Sequence, residues 1–325
     1  MKRDPLCRYR QLAERETFSA NALDSIRSSL AASLEGKNWS SDFSIVVTGS
    51  FGRKEASAES DMDAFILSDA GLEESEIKAV SGHYNEAVYR HVDRPPGSSG
   101  TFDITVQETV PEMIRNIGGD QDDNRKLTRR LLFLLEGDWL YGQEKFERYR
   151  RQLVETYIKP EIPSEHLVRF LLNDVIRYYR TITTDFEQKV AEDGKSWGLR
   201  KVKLRFSRKL LYFSGIITVA ETPGIPHRNK IQCVLDLLSL PPLRRIVELS
   251  SEEPEDILQR YEDFLTRISD PEVREKLNRL NREHREKSPL YVELRAEGEQ
   301  FSHSLASWLK REYREDHPIH HALLF

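Results

Sequence analysis

The stretch Ser44–Leu67, SIVVTGSFGRKEASAESDMDAFIL, decides how the rest of this chain is read. Ile45-Val46-Val47-Thr48 is a β-branched run that suits a buried strand. Gly49-Ser50 breaks it, and Phe51–Ala58 can form a short helix with Ser50 placed to cap it. Ser60-Asp61-Met62-Asp63 then leads into Ala64-Phe65-Ile66-Leu67, a second strand. Strand side chains alternate faces, so Asp61 and Asp63 point to the same side. Two carboxylates held together repel unless a divalent cation lies between them. A helix start after Gly-Ser offers free backbone N–H groups that suit phosphate oxygens. Mg²⁺ prefers a few carboxylates plus substrate phosphates, and two such ions stabilise the attacking and leaving oxygens of an in-line displacement.

Gly49-Ser50-Phe51-Gly52-Arg53-Lys54-Glu55, followed after four residues by Ser60-Asp61-Met62-Asp63, resembles the signature of the polymerase-β-like nucleotidyltransferase superfamily. The form with Arg and Glu in its first half is most similar to the bacterial PII-protein uridylyltransferases and their relatives. The resemblance implies an α/β fold, a small mixed-sheet nucleotidyltransferase domain followed by an all-helical one. It implies metal-dependent transfer of a nucleoside monophosphate from an NTP such as ATP or UTP to an acceptor hydroxyl, with release of pyrophosphate. In it Gly49 and Ser50 bind the NTP phosphates, and Asp61 and Asp63 hold two Mg²⁺ ions, with Mn²⁺ as a substitute. Arg53 contacts phosphate or a core acid, and Glu55 pairs with it.

The superfamily also uses a third carboxylate on a later strand. Thr101–Val106 alternates like a strand, with Phe102, Ile104 and Val106 on one face and Asp103 and Thr105 on the other. Asp103 is therefore the expected third catalytic and metal-binding acid, with Asp93, in its Pro-rich surroundings, as the rival. Pro95–Gly100 reads as a loop. Residues 1–36 and 71–89 read as helices, as does the apolar run 127–135, with Asp120–Asp123 at its positive end. Leu135–Gly142 resembles a segment that closes the catalytic domain in nucleotidyltransferase relatives.

Beyond about residue 150 strand signals vanish, so the expected domains are 1–150, catalytic, and 151–325, helical. Residues 195–212, KSWGLRKVKLRFSRKLLY, hold seven Lys or Arg and no acid. As one helix they would align Lys201, Arg205, Arg208 and Tyr212 on a single side, and Asn173, Arg177 and Arg180 would line another helix. These faces are expected to clamp the triphosphate, with Tyr212 stacking on the base. The same basic face would alternatively hold an RNA backbone, with Trp197, Tyr178 and Tyr179 nearby for bases. Residues 261–290 carry seven acids and seven bases, the pattern of a solvated helix surface.

Composition limits the remaining options. The 325 residues are 32% charged and 38% hydrophobic with a net charge of −5, so no global basic field draws the chain to nucleic acid. Two cysteines give no disulfide framework, and nine histidines fall at no metal-ligand spacing. No signal peptide or membrane span is read, which fits a cytoplasmic protein. The acceptor stays open between a protein or regulatory target, a tRNA or other RNA, and a small alcohol. A toxin-like RNA-directed transferase and a non-catalytic nucleotide-sensing module are the other functional readings. No His-Asp dyad of a hydrolase follows the catalytic stretch.

Overall fold

The computed structural model describes residues 4–94, 103–192 and 196–324. The expected loop at 95–100, Thr101, Phe102 and Lys195 lie outside them. The chain divides into two compact units, one of residues 14–163 with 226–241, the other of 1–13, 164–225 and 242–325. The chain crosses between the units more than once.

The first unit holds the sheet. After α1 (Arg10–Leu34) come β1 (Phe43–Val47), α2 (Gly49–Gly52), β2 (Ala64–Ser68), α3 (Glu74–His91), β3 (Gln107–Thr109), α4 (Val110–Ile114), α5 (Asn124–Glu136), β4 (Asp138–Tyr141) and α6 (Gln143–Tyr157). The strand order is β3-β2-β1-β4. β1 runs antiparallel to β2, with Ile45 opposite Ile66 and Val47 opposite Ala64. β2 runs parallel to β3, and β1 antiparallel to β4. All five residues of β1 and of β2 are buried, as their largely apolar runs require, and the two serines are hydrogen-bonded, Ser44 Oγ donating to Tyr141 O and Ser68 Oγ accepting from Gly71 N–H. Phe43, Ile45, Val47, Ala64 and Ile66 share one core cluster with Leu23, Ile26, Leu30 and Leu34 of α1 and Val80, Tyr84 and Val88 of α3. Burying each such large side chain contributes about 1.5–3 kcal/mol. The α1 and α3 stripes recur at helical spacing for this reason.

α5 is a core helix, buried at every position from Arg129 to Glu136. Its start is set by Asp123, whose carboxylate accepts from Lys126 N–H at 2.8 Å. Inside it, Arg130 and Asp122 form a two-pronged pair at 2.9 Å, both side chains fully buried, and Tyr157 Oη receives Arg130 Nε at 2.6 Å. The segment 135–142 supplies β4, an edge partner for β1.

The second unit contains α7 (Arg169–Glu192), α8 (Trp197–Arg205) and α9 (Ser207–Ala220). After α10 (His227–Ser239), which belongs to the first unit, follow α11 (Pro242–Leu249), α12 (Glu255–Ser269), α13 (Pro271–Arg279), α14 (Pro289–Glu312) and α15 (Pro318–Ala322). Its centre is aromatic: Phe206 stacks on Phe264 at 4.4 Å between ring centroids and lies against Phe301. Among the described residues no helix is long and apolar enough to cross a membrane.

Three local expectations are corrected. Ser50 does not cap a helix running to Ala58: the helical turn is only Gly49–Gly52, and Thr48 stands at its cap position. Residues 103–106 are not strand: Val106 N–H donates to Asp103 O at 2.7 Å, closing a turn, and β3 starts at Gln107. Asp103 Oδ1 accepts from Thr105 N–H and Oγ1 at 2.9 and 2.8 Å, the side-chain-to-backbone bonding by which aspartate stabilises turns. Residues 197–212 are not one helix: at Phe206, φ −112° and ψ −81° separate α8 from α9, because burying this ring among Phe264 and Phe301 wins over helix continuation.

Candidate active site

The site is built where β1 ends and β2 begins. β1 ends at Val47, and the turn after Thr48 opens on Gly49, whose φ of +68° belongs to the left-handed region that glycine enters without strain. A Cβ on Gly49 would stand 3.1 Å from Asp63 Oδ2, so the backbone of the Gly-Ser turn and this carboxylate are neighbours. Asp63 O accepts from Thr48 N–H at 2.9 Å, which continues the β1–β2 ladder by one bond and ties the acid to the turn. Met62 is buried in the α1–α3 core, while Asp61 is exposed and Asp63 half-buried. The alternation that sends Met62 inward turns both flanking carboxylates away from that core.

A buried ionic frame lies beneath the turn. Glu136, with its side chain fully buried, accepts Gly49 N–H on Oε1 at 2.9 Å and Arg53 on Oε2 at 2.5 Å. Arg53 Nε also donates to Glu55 Oε2 at 2.8 Å, and Arg15 donates to Glu55 O at 2.6 Å. Of the two contacts open to Arg53 from the sequence, the structure has the one with core acids. Gly52 completes the frame: a Cβ there would overlap the backbone carbonyl of Glu136. The frame's outer edge is Lys54, at φ +60°, with Nζ 2.6 Å from Asp138 Oδ2, while Arg27 approaches the same oxygen at 2.9 Å. Burial pushes the Asp138 carboxyl up, but Lys54 and Arg27 outweigh it and hold the group below the usual aspartate range.

On the other side of the Asp61–Asp63 segment, Tyr84 of α3 is buried and donates its hydroxyl to Met62 O at 3.1 Å. Burial raises its ionisation well above the ordinary tyrosine value, and the charges of Asp63, Asp103 and Asp61 raise it further. Asp103 thus belongs to the same electrostatic neighbourhood as the pair, though a turn presents it rather than a strand. Asp93, the rival, is exposed.

Among the described residues no three His, Cys, Asp or Glu side chains gather closely enough to cage a metal ion. What the structure offers is the Asp63 carboxylate beside the Gly49 turn, with the exposed Asp61 two residues before it. That fits Mg²⁺, which takes one or two carboxylates and completes its shell with water and phosphate.

Residues 34–100 match the family model of the nucleotidyltransferase domain, within the polymerase-β-like superfamily. The match spans β1, α2, β2 and α3, and with them Gly49, Ser50, Tyr84 and the segment before β2 that holds Asp61 and Asp63. A comparison with curated proteins finds no match. Glu136, Asp138 and Asp103 lie downstream of the matched nucleotidyltransferase segment and reach it through the fold.

The remaining expected site residues are in the other unit. Lys201 lies over the Phe186 ring at 4.7 Å, and Arg205 is 3.8 Å from Glu299. Arg177 is 3.8 Å from Asp174. Tyr212 stacks on Tyr179 with centroids 4.4 Å apart, so one face of each ring is already covered. Trp197 and Tyr178 are buried and form no exposed stacking surface. Arg208 and Tyr212 follow the break at Phe206 that Lys201 and Arg205 precede. Sequence reading missed Glu136 and Tyr84 as site residues. An acid closing the apolar run LLFLLE was the signal for the first; the i+4 spacing of Val80, Tyr84 and Val88 was the signal for the second.

Proposed function

We propose that this protein transfers a nucleoside monophosphate from an NTP to an acceptor hydroxyl and releases pyrophosphate. The observation that carries the reading is the adjacency of Gly49 and the Asp63 carboxylate within the matched segment. Ser50 and the backbone after Gly49 would take the triphosphate, leaving Gly49's own N–H to Glu136. Asp61 and Asp63 would hold divalent metal, Mg²⁺ or Mn²⁺. The metal would supply charge stabilisation to the in-line displacement at phosphorus. Asp103 would orient the attacking hydroxyl or take its proton. The buried frame of Arg53, Glu55 and Glu136 would keep the turn fixed, so that little reorganisation accompanies reaction.

For the acceptor we favour a protein over RNA. The support is that Trp197 and Tyr178, the aromatics an RNA track would use, belong to the core of their unit. Lys201, Arg205, Arg208 and Tyr212 are proposed as an anion-binding face on their charge and type, with the triphosphate as its ligand. Incubation with each α-labelled NTP, Mg²⁺ and whole-cell extract tests the reading. Label that resists ribonuclease and is released by protease supports a protein acceptor. Label released by ribonuclease moves the acceptor to RNA, and no incorporation from any NTP contradicts the transferase reading.

A further inference from the structure

Tyr84 carries more than its share of the α3 stripe needs. The ring packs in the core with Val80, Ala87 and Val88, a role that phenylalanine would fill equally. Its hydroxyl is 3.1 Å from the Met62 carbonyl oxygen, in a side chain only 1% exposed. A buried hydroxyl is costly unless it is bonded, and this one donates to the carbonyl of the Met62–Asp63 peptide, between the two acids. The next carbonyl along, that of Asp63, is held by Thr48 N–H at 2.9 Å. The successive carbonyls of Met62 and Asp63 are therefore held by two different elements, α3 and the end of β1. Resting on the nucleotidyltransferase reading above, we infer that Tyr84 is a positioning residue that sets the mutual orientation of the Asp61 and Asp63 carboxylates for a divalent cation.

The chemistry is consistent on two counts. Asp61 is exposed, so packing around its own side chain does not fix its direction, and the restraint nearest to it is on the backbone of Met62. Burial first, and then the charges of Asp63, Asp103 and Asp61, raise the ionisation of the hydroxyl well above the ordinary tyrosine value, so it remains a donor. Met62 adds the third restraint, since its side chain is fully buried and resists rotation of the segment.

The test uses full-length protein, Mn²⁺ as the probe and a non-hydrolysable NTP analogue. Mn²⁺ binding is read by electron paramagnetic resonance, and Tm by calorimetry. Tyr84→Phe should weaken Mn²⁺ about fivefold or more, the worth of one net hydrogen bond, with Tm lowered by only a few degrees. Replacing Tyr84 with 4-aminophenylalanine, which restores a donor, should recover the affinity, and 4-fluorophenylalanine, of similar size without a donor, should not. The fluoro and amino pair carries the comparison if Tyr84→Phe does not fold. Wild-type protein that binds Mn²⁺ together with donor-free variants that bind it within about twofold would overturn the positioning role and leave the transferase reading intact. Wild-type protein that binds no Mn²⁺ would overturn both.

Discussion

Glu136→Gln removes one charge from the frame under the Gly49–Ser50 turn. The two carboxylate oxygens have separate partners, Gly49 N–H at 2.9 Å and Arg53 at 2.5 Å, in a side chain with no exposure. Glutamine has a single acceptor oxygen, so its amide N–H₂ must face one of those donors. One bond is lost, two donors oppose each other, and Arg53 keeps its contact with Glu55 at 2.8 Å. Breaking a buried pair costs about 3–5 kcal/mol. The surviving Glu55 contact places this case at the lower end, about 3 kcal/mol. At roughly 2–4 °C per kcal/mol for a unit of this size, Tm should fall by about 6–12 °C in a calorimetric scan. The apparent KM for NTP should rise with it, because Gly49 at φ +68° loses its anchor. A variant that melts within about 2 °C of wild type, with unchanged nucleotide kinetics, would refute the idea that this frame holds the turn.

Three further outcomes follow from the same residues. NTP binding by calorimetry should depend on Mg²⁺, because Asp61 and Asp63 repel the triphosphate without it, and equal affinity in EDTA would contradict the metal-bridge reading. Asp138 has a folded-state pKa below its unfolded value, so its stabilisation is present above about pH 4 and is lost as pH falls through the folded value. The stability gap between wild type and Asp138→Asn, measured by urea titration, should therefore narrow towards pH 3, and a gap constant from pH 7 to 3 would contradict the assignment. Arg205→Ala combined with Arg208→Ala should raise the KM for NTP with little salt dependence. Unchanged NTP kinetics with the loss of salt-sensitive RNA binding would reassign that face to RNA.

The fold was legible where one interaction type dominated. Ile45–Thr48 and Ala64–Leu67 announce themselves as strands because both faces are buried, and Asp123 marks its helix because aspartate caps with a local bond. Asp103 misled because a period of two over four residues looks the same in a strand and in a turn closed by the aspartate's own side chain. The break at Phe206 was invisible in the sequence, since periodicity continues across it and only the aromatic contacts with Phe264 and Phe301 require it. β4 is four residues beginning with an aspartate, too short and too polar at its start to signal a strand. Gly49, Ser50, Asp61 and Asp63 could be proposed as site residues from spacing because all four lie in one local stretch. Glu136 could not, since its partner Gly49 is 87 residues away in sequence.

The central claim is transfer of the α-phosphoryl group at the Asp61–Asp63 pair. Its most direct test compares α-labelled with γ-labelled NTP, for wild type and Asp63→Asn, in the presence of Mg²⁺ and extract. Acceptor labelling from the α-label only, γ-label recovered as pyrophosphate, and loss of both signals in a folded Asp63→Asn protein are expected. Acceptor labelled from the γ-position, or undiminished transfer by Asp63→Asn, would contradict that claim.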